Sequence, residues 1–325
     1  MTFRLVCTLG PASKDTQILS NLLAGATHFR LNGSHLNSSS LENWLERLSA
    51  LFEKEGKELP VIVDLQGSKM RVGVYEARKT IPNEIRLVHS KGPSPFADVI
   101  PVPHERLFRS VKVGEELTLN DKKIHLRVMD IGNDGIKAKV VTNGPLSSNK
   151  GINRSDHPVP FEELTANDGE LVQVAEQYSF VSYALSFITQ ASDIDHLRAF
   201  TQRPVAAKIE RPEALENLKN IINSFDELWF CRGDLGAQAG LSALGPIQLE
   251  FENMIADCNT PALLAGQVLE HMTYFPMPTR TEVVSLHRAI VGPWDGIILS
   301  DETAIGKHPC ETVAFINELT AAKRA

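Results

Sequence analysis

Long apolar runs are missing from this chain of 325 residues. No stretch approaches the ~20 apolar residues that a membrane-spanning helix requires, so no membrane partner is expected. The opening Met1-Thr2-Phe3-Arg4 lacks the tripartite pattern of a signal peptide. Cysteine is scarce: Cys7, Cys231, Cys258 and Cys310 are widely spaced and form no ligand pattern. Cys7 and Cys231 sit within apolar runs, which reads as reduced core thiols in a cytoplasmic protein. Net positive charge is also absent. A formal charge of −7 argues against a nucleic-acid partner, although local basic clusters can oppose the net sign. There is no internal repeat and no low-complexity segment. What is present is ordinary for a globular protein, with 42% hydrophobic and 22% charged residues. The length suffices for one large domain carrying an insert, or for two domains.

Eight strand-like apolar runs alternate with helical patterns. The runs are Arg4–Leu9, Thr27–Leu31, Pro60–Asp64, Phe180–Phe187, Pro204–Ile209, Glu227–Cys231, Pro261–Ala265 and Asp295–Leu299. Most are continuously apolar, as expected of strands buried on both faces of a parallel sheet. Helical patterns follow at Lys14–Ala24, Ser39–Lys54, Thr165–Gln177, Ile194–Thr201, Arg211–Asn223, Pro246–Cys258, Thr279–Val291 and Pro309–Arg324. This alternation predicts an α/β fold, a (β/α)₈ TIM barrel. One break interrupts it, after the third strand. From about Arg71 to His157 the chain is rich in Gly, Pro, Asp and Lys, with short alternating runs such as Glu116–Leu119 and Ile136–Val141. Turn signals stand at Asn133-Asp134-Gly135 and Asn143-Gly144-Pro145. The expectation is a small all-β lid domain of short antiparallel strands at 71–157, inserted into a barrel made of 1–70 and 158–325. Strand-to-helix inserts land on the catalytic face of a barrel, where they can close over substrate.

Several strand ends carry charge. Val205–Ile209 delivers Lys208 and then Glu210, two residues apart and therefore on one side of the strand. Phe230-Cys231-Arg232-Gly233-Asp234-Leu235-Gly236 offers a tight turn into a helix start whose N–H groups can receive an anion. Carboxylates at two strand ends can share a divalent metal, and a lysine beside them can meet phosphate or enolate charge. The second strand ends in Arg30–His35, the third in Asp64–Arg71, and the fourth near Ser186. Charged ends gathered on one rim point to metal-assisted phosphoryl or enolate chemistry rather than to a solvated surface.

In order along the chain, these residues resemble the pyruvate kinase family. The matching segments are Thr8–Ser13, Arg30–His35, Asp64–Gly73, Lys150–Asn153, Ala207–Glu210, Arg232–Gly236, Pro278–Glu282 and Leu299–Ala304. Each is weak alone, but together and in order they are specific. The resemblance implies a phosphotransferase of that type, with a small-molecule substrate, a nucleotide (ADP or ATP) and Mg²⁺ or Mn²⁺. By similarity, Glu210 and Asp234 hold the divalent metal, and Lys208 and Arg30 stabilise the phosphoryl group and the enolate. Asn32, Ser34 and Asp64 form a monovalent-cation pocket. Pro11, His35, Arg71 and Lys150 lie along the nucleotide. The backbone of Gly233 and Asp234 receives the substrate carboxylate. Lys69 with Leu65 resembles members that do not require potassium, since an ammonium near Asp64 can replace the ion.

The departures from the pattern are informative. The family's Ala-Thr-Gln at the end of the seventh strand, whose threonine contacts the substrate carboxylate, is Ala265-Gly266-Gln267 here. Loss of that hydroxyl opens space beside the reacting methylene carbon. It predicts either weakened activity or a pocket for a larger 2-oxo (enol) acid, with Gly266→Thr restoring the ordinary one. Leu-Pro-Gly after the lid motif is Arg154-Ser155-Asp156, Gly of Ser-Gly-Glu-Thr-Ala is Asp301, and the arginine of Ser-Phe-Val-Arg is Thr189. The chain ends at Ala325, where the family usually continues into a C-terminal allosteric domain. Control through that domain is not expected, and a homodimer through barrel helices is compatible with the rest. A minimal glycolytic pyruvate kinase and a metal-dependent 2-oxo-acid lyase or non-catalytic binding relative are the competing readings.

Overall fold

Buried alternation explains the architecture. In the computed structural model, which describes residues 3–67, 70–120, 122–154 and 164–322, the first three strands are β1 (Arg4–Leu9), β2 (His28–Asn32) and β3 (Val61–Leu65). The inserted segment carries β4 (Glu84–His89), β5 (Val99–Val102), β6 (Glu116–Leu119), β7 (Ile124–Gly132), β8 (Gly135–Thr142) and β9 (Ile152–Arg154). The chain then returns through β10 (Val181–Leu185), β11 (Val205–Ile209), β12 (Glu227–Cys231), β13 (Ala262–Ala265) and β14 (Gly296–Leu299). The outer eight strands close into a parallel barrel in the order β1-β14-β13-β12-β11-β10-β3-β2. The (β/α)₈ expectation therefore holds.

Inside the barrel an apolar layer is built from Val6, Ile62, Ala184, Ala206, Trp229, Leu263 and Ile298. Trp229 is 1% exposed, and the small Ala184 and Ala206 leave room for its ring. Strand side chains repeat every two residues. Thr8, Asp64, Ser186 and Lys208 each lie two residues beyond a member of that layer, so they continue the same inward face toward the C-terminal ends of the strands. The apolar layer is thus the floor on which a polar layer stands.

Contacts divide the chain into two compact units, Met1–Gly67 with Glu162–Ala325, and Ser68–Phe161. The second is a six-stranded sheet in the order β5-β4-β8-β7-β6-β9, with its own core that includes Leu87, Ile100, Val102, Leu117, Leu126 and Ile136. Glu116–Leu119 forms β6, and Asn133-Asp134 turns β7 into β8. Two features differ from the expected all-antiparallel, all-β insert. β4 and β5 pair in parallel, and a short helix, Glu105–Ser110, lies between β5 and β6. That helix lets β5 leave the sheet and return, and its Leu107 is fully buried in the core.

The outer helices depart from the sequence reading at several places, among them the following three. The pattern over Arg211–Asn223 is broken at Asn217 into Pro212–Glu216 and Leu218–Ser224. The Asn217 side chain donates instead to the carbonyls of Thr189 and Glu213. A helix Arg232–Ala239 starts directly at the end of β12. The following helix, Leu241–Ile255, begins earlier than expected and accommodates Pro246 in its second turn.

Candidate active site

β2 and β3 pair so that Asn32 stands beside Asp64, and β1 and β2 so that Thr8 stands beside Arg30. From this register the Arg30 guanidinium bridges the two strands that flank β2. Its Nε and Nη2 donate to Asp64 Oδ2 at 2.8 and 2.5 Å, and its Nη1 donates to Thr8 Oγ1 at 2.8 Å. Thr8 is anchored by donating in turn to the Leu299 carbonyl at 2.6 Å. From β11, Lys208 Nζ meets Ser186 Oγ at 2.7 Å, Glu210 Oε1 at 2.9 Å and Asp64 Oδ1 at 3.1 Å. All three donors of the ammonium are thereby engaged. Ser186 Oγ also donates to Asp64 Oδ1 at 3.1 Å, and the Phe187 N–H donates to Glu210 Oε2 at 2.8 Å. Phe187 presents that N–H from a left-handed conformation, φ 60°, which ends β10 earlier than its apolar run suggests.

The two carboxylates are 2% and 1% exposed for Asp64 and Glu210, so this is a buried ionic cluster. Burial alone would lift the Asp64 carboxyl, but Lys208 and Arg30 hold it below the usual carboxylate range. Burial likewise opposes the charged forms of Lys208 and Arg30, and the carboxylates outweigh it, raising both above their ordinary values. The Cys231 thiol, at the end of β12, is pushed well up by burial first and then by Glu210, with Asp64 and Asp234 adding to the effect.

Asp234 lies in the first turn of the helix Arg232–Ala239, half-buried, with Gly233 exposed beside it. Gly266 follows β13 with φ 89°. A Cβ at Gly266 would sit 3.2 Å from the Gly233 nitrogen and 3.6 Å from that of Arg232. The three residues expected at the substrate carboxylate are thus neighbours. The same geometry revises one expectation. A β-branched residue at such a φ is strained, so Gly266→Thr cannot simply restore a missing hydroxyl.

The remaining expected residues are distributed as follows. Asn32 Oδ1 accepts from the Ser34 N–H at 3.2 Å and caps the turn Gly33–His35, where His35 is exposed. Asp64 is engaged by two side-chain cations, and Lys69 lies outside the described residues. Pro11 opens the turn Pro11–Ser13 after β1. Arg71 and Lys150 belong to the inserted unit and lie together there, since Arg71 Nη1 donates to the Asn149 carbonyl and Val72 N–H to that of Lys150. Arg154 forms a two-bond pair with Glu115 inside the same unit, and Ser155 and Asp156 lie outside the described residues. Thr189 binds Asp193 through its N–H and hydroxyl. Sequence reasoning did not assign roles to Thr8, Ser186 or Arg232, although the two-residue step from Val6 to Thr8 carried the signal for the first.

The sequence matches the family described as pyruvate kinase, barrel domain, over residues 2–313. The chain belongs to the pyruvate kinase family. A pyruvate kinase of Agrobacterium vitis is 33% identical over 322 residues, covering 97% of this chain and 68% of that protein. That of Thermococcus litoralis is 31% identical over 324 residues, with 97% and 68% covered, and that of Thermotoga maritima is 29% identical, with 97% and 70% covered. Membership of the pyruvate kinase family supports a phosphotransferase of that general type. No helix among the described residues is long and apolar enough to cross a membrane.

Proposed function

We propose that this protein is a metal-dependent phosphotransferase that moves a phosphoryl group between a nucleotide, ADP or ATP, and an enolpyruvate-type acid. The acid is phosphoenolpyruvate/pyruvate or a related, larger 2-oxo (enol) acid. The buried cluster of Arg30, Asp64, Lys208 and Glu210 carries this reading. Charged groups held away from water are costly without a purpose-built arrangement. Phosphoryl transfer asks chiefly for fixed positive charge along the path of the moving group. In this proposal Lys208 and Arg30 supply that charge. Arg30 commits three N–H groups to Asp64 and Thr8 out of five, leaving donors over for a phosphoryl oxygen. Lys208 exchanges one of its present partners for substrate.

Among the described residues no group of three or more His, Cys, Asp or Glu side chains is gathered to hold a metal. Glu210 and Asp234 are an oxygen-only pair at adjacent strand ends. That fits Mg²⁺ or Mn²⁺, which take one or two carboxylates and complete their shell with water and substrate oxygens. Bound there, the ion would neutralise phosphate and enolate charge. Pro11, His35, Arg71 and Lys150 are proposed for the nucleotide, Asn32, Ser34, Asp64 and Lys69 for the monovalent-cation pocket, and Lys69 for potassium independence. The N–H groups of Gly233 and Asp234 are proposed for the substrate carboxylate, with Gly266 widening the space above them. The domain limits 1–70, 71–157 and 158–325, a cytoplasmic setting for the four free cysteines, and a homodimer through barrel helices belong to the same proposal. Leu249, Val284 and Val291, exposed on the helices Leu241–Ile255 and Arg280–Val291, support the last.

The test is ATP formation from ADP and phosphoenolpyruvate with Mg²⁺ or Mn²⁺, and the reverse reaction from ATP with pyruvate, 2-oxobutyrate and bulkier 2-oxo acids. Turnover that is lost in Lys208→Met supports the proposal. No transfer in either direction, and no thermal shift with any acid and metal, overturns it.

A further inference from the structure

The turn after β13 is held by a residue that the proposed phosphoryl transfer does not use. Gly266 and Gln267 both have left-handed backbones, at φ 89° and 52°. A glycine takes such a conformation freely, but Gln267 does so only under constraint. The constraint is visible. Arg232 Nε and Nη2 donate to the Gly266 carbonyl at 2.9 and 2.6 Å, and Nη2 donates again to the Gln267 carbonyl at 3.0 Å. A planar guanidinium can grip two successive carbonyls in this way, and a lysine cannot reproduce the fork. Arg232 is also the first residue of the helix whose N–H groups lie beneath Gly266. The grip therefore ties the β13 turn to the start of that helix at the point where a substrate acid is proposed to sit.

We infer that Arg232 is a positioning residue that sets the specificity of this site: its guanidinium holds Gly266-Gln267 in the left-handed turn and so keeps open the space that admits a substituent on C3 of the acid. The inference rests on reading the start of helix Arg232–Ala239 as the acid site. Burial pulls the Arg232 cation below its ordinary value, with only Glu302 countering, so the carbonyl grip is its principal described satisfaction. Without the grip, Gln267 relaxes toward negative φ. The Gly266 peptide then swings over the helix start and narrows the space.

Arg232→Gln and Arg232→Lys test this in the full chain. Binding of pyruvate and of 2-oxobutyrate is measured by thermal shift in the presence of Mn²⁺, and amide hydrogen exchange is followed over the segment 266–269. The expected result in Arg232→Gln is a loss of at least tenfold in affinity for 2-oxobutyrate relative to pyruvate. Amide exchange in 266–269 should rise at least tenfold while the barrel strands are unchanged. Arg232→Lys should fall between wild type and Arg232→Gln. Equal weakening of both acids, with exchange unchanged, would make Arg232 merely structural and overturn the inference. If the wild type binds neither acid, the acid-site reading fails, and the exchange data alone decide whether the grip exists.

Discussion

Replacing Lys208 by methionine probes the centre of the site with little change in volume. The ammonium is shared by Asp64, Glu210 and Ser186 at 3.1, 2.9 and 2.7 Å, and both carboxylates are almost fully buried. Removing one member of a buried ionic set leaves charge behind, at a cost of about 3–5 kcal/mol. Arg30 still neutralises part of Asp64, so the lower end, about 3 kcal/mol, is expected. All three tryptophans, Trp44, Trp229 and Trp294, lie in the barrel unit, so fluorescence-detected urea unfolding at pH 7 reports on that unit. Adding Glu210→Gln to Lys208→Met removes one of the stranded charges. The double variant should recover at least about 1 kcal/mol relative to Lys208→Met, a coupling that a double-mutant cycle isolates. A loss below about 1 kcal/mol in Lys208→Met, or strictly additive losses, would refute the picture of one buried, mutually compensating cluster.

Four further outcomes are expected. Asp64 is held below its ordinary value when folded, so its contribution to stability is present above an unfolded pKa of about 4 and is lost as pH falls through the lower folded value. Asp64→Asn should therefore flatten the acid limb of urea midpoint against pH, and an unchanged limb would contradict the assignment. Gly266→Thr, at φ 89° and 3.2 Å from the Gly233 nitrogen, should cost about 1–3 kcal/mol without raising phosphoenolpyruvate turnover. A stable variant with higher turnover would show that the missing hydroxyl alone matters. Glu210→Gln should weaken Mn²⁺ binding at least about tenfold by electron spin resonance, since a carboxylate oxygen is exchanged for a neutral amide; equal affinity would remove Glu210 from the metal site. Activity in tetramethylammonium buffer should not rise on adding KCl at constant ionic strength; a large activation would deny Lys69 the role of replacing potassium.

Much of the frame follows from local rules that a linear sequence carries in full. The runs Arg4–Leu9 and Glu227–Cys231 coincide with β1 and β12 because a buried parallel strand must be apolar on both faces. The two-residue spacing of Lys208 and Glu210 placed both on one face, and they meet at 2.9 Å. Barrel closure and the change of texture after β3 were legible for the same reason. Contacts between distant segments were not. Arg30 finds Asp64 through the β2–β3 register, and Lys208 finds Ser186 through the β10–β11 register, over 34 and 22 residues. Asn217 interrupts a helical pattern because a carbonyl from another loop, that of Thr189, is within reach of its side chain. Gly266 could be read from sequence as a lost hydroxyl. Only the folded chain shows its left-handed backbone and the guanidinium, 34 residues earlier in sequence, that donates to its carbonyl. Periodicity settles which way a strand side chain faces; what it meets there is settled by the register of strands that the sequence does not place side by side.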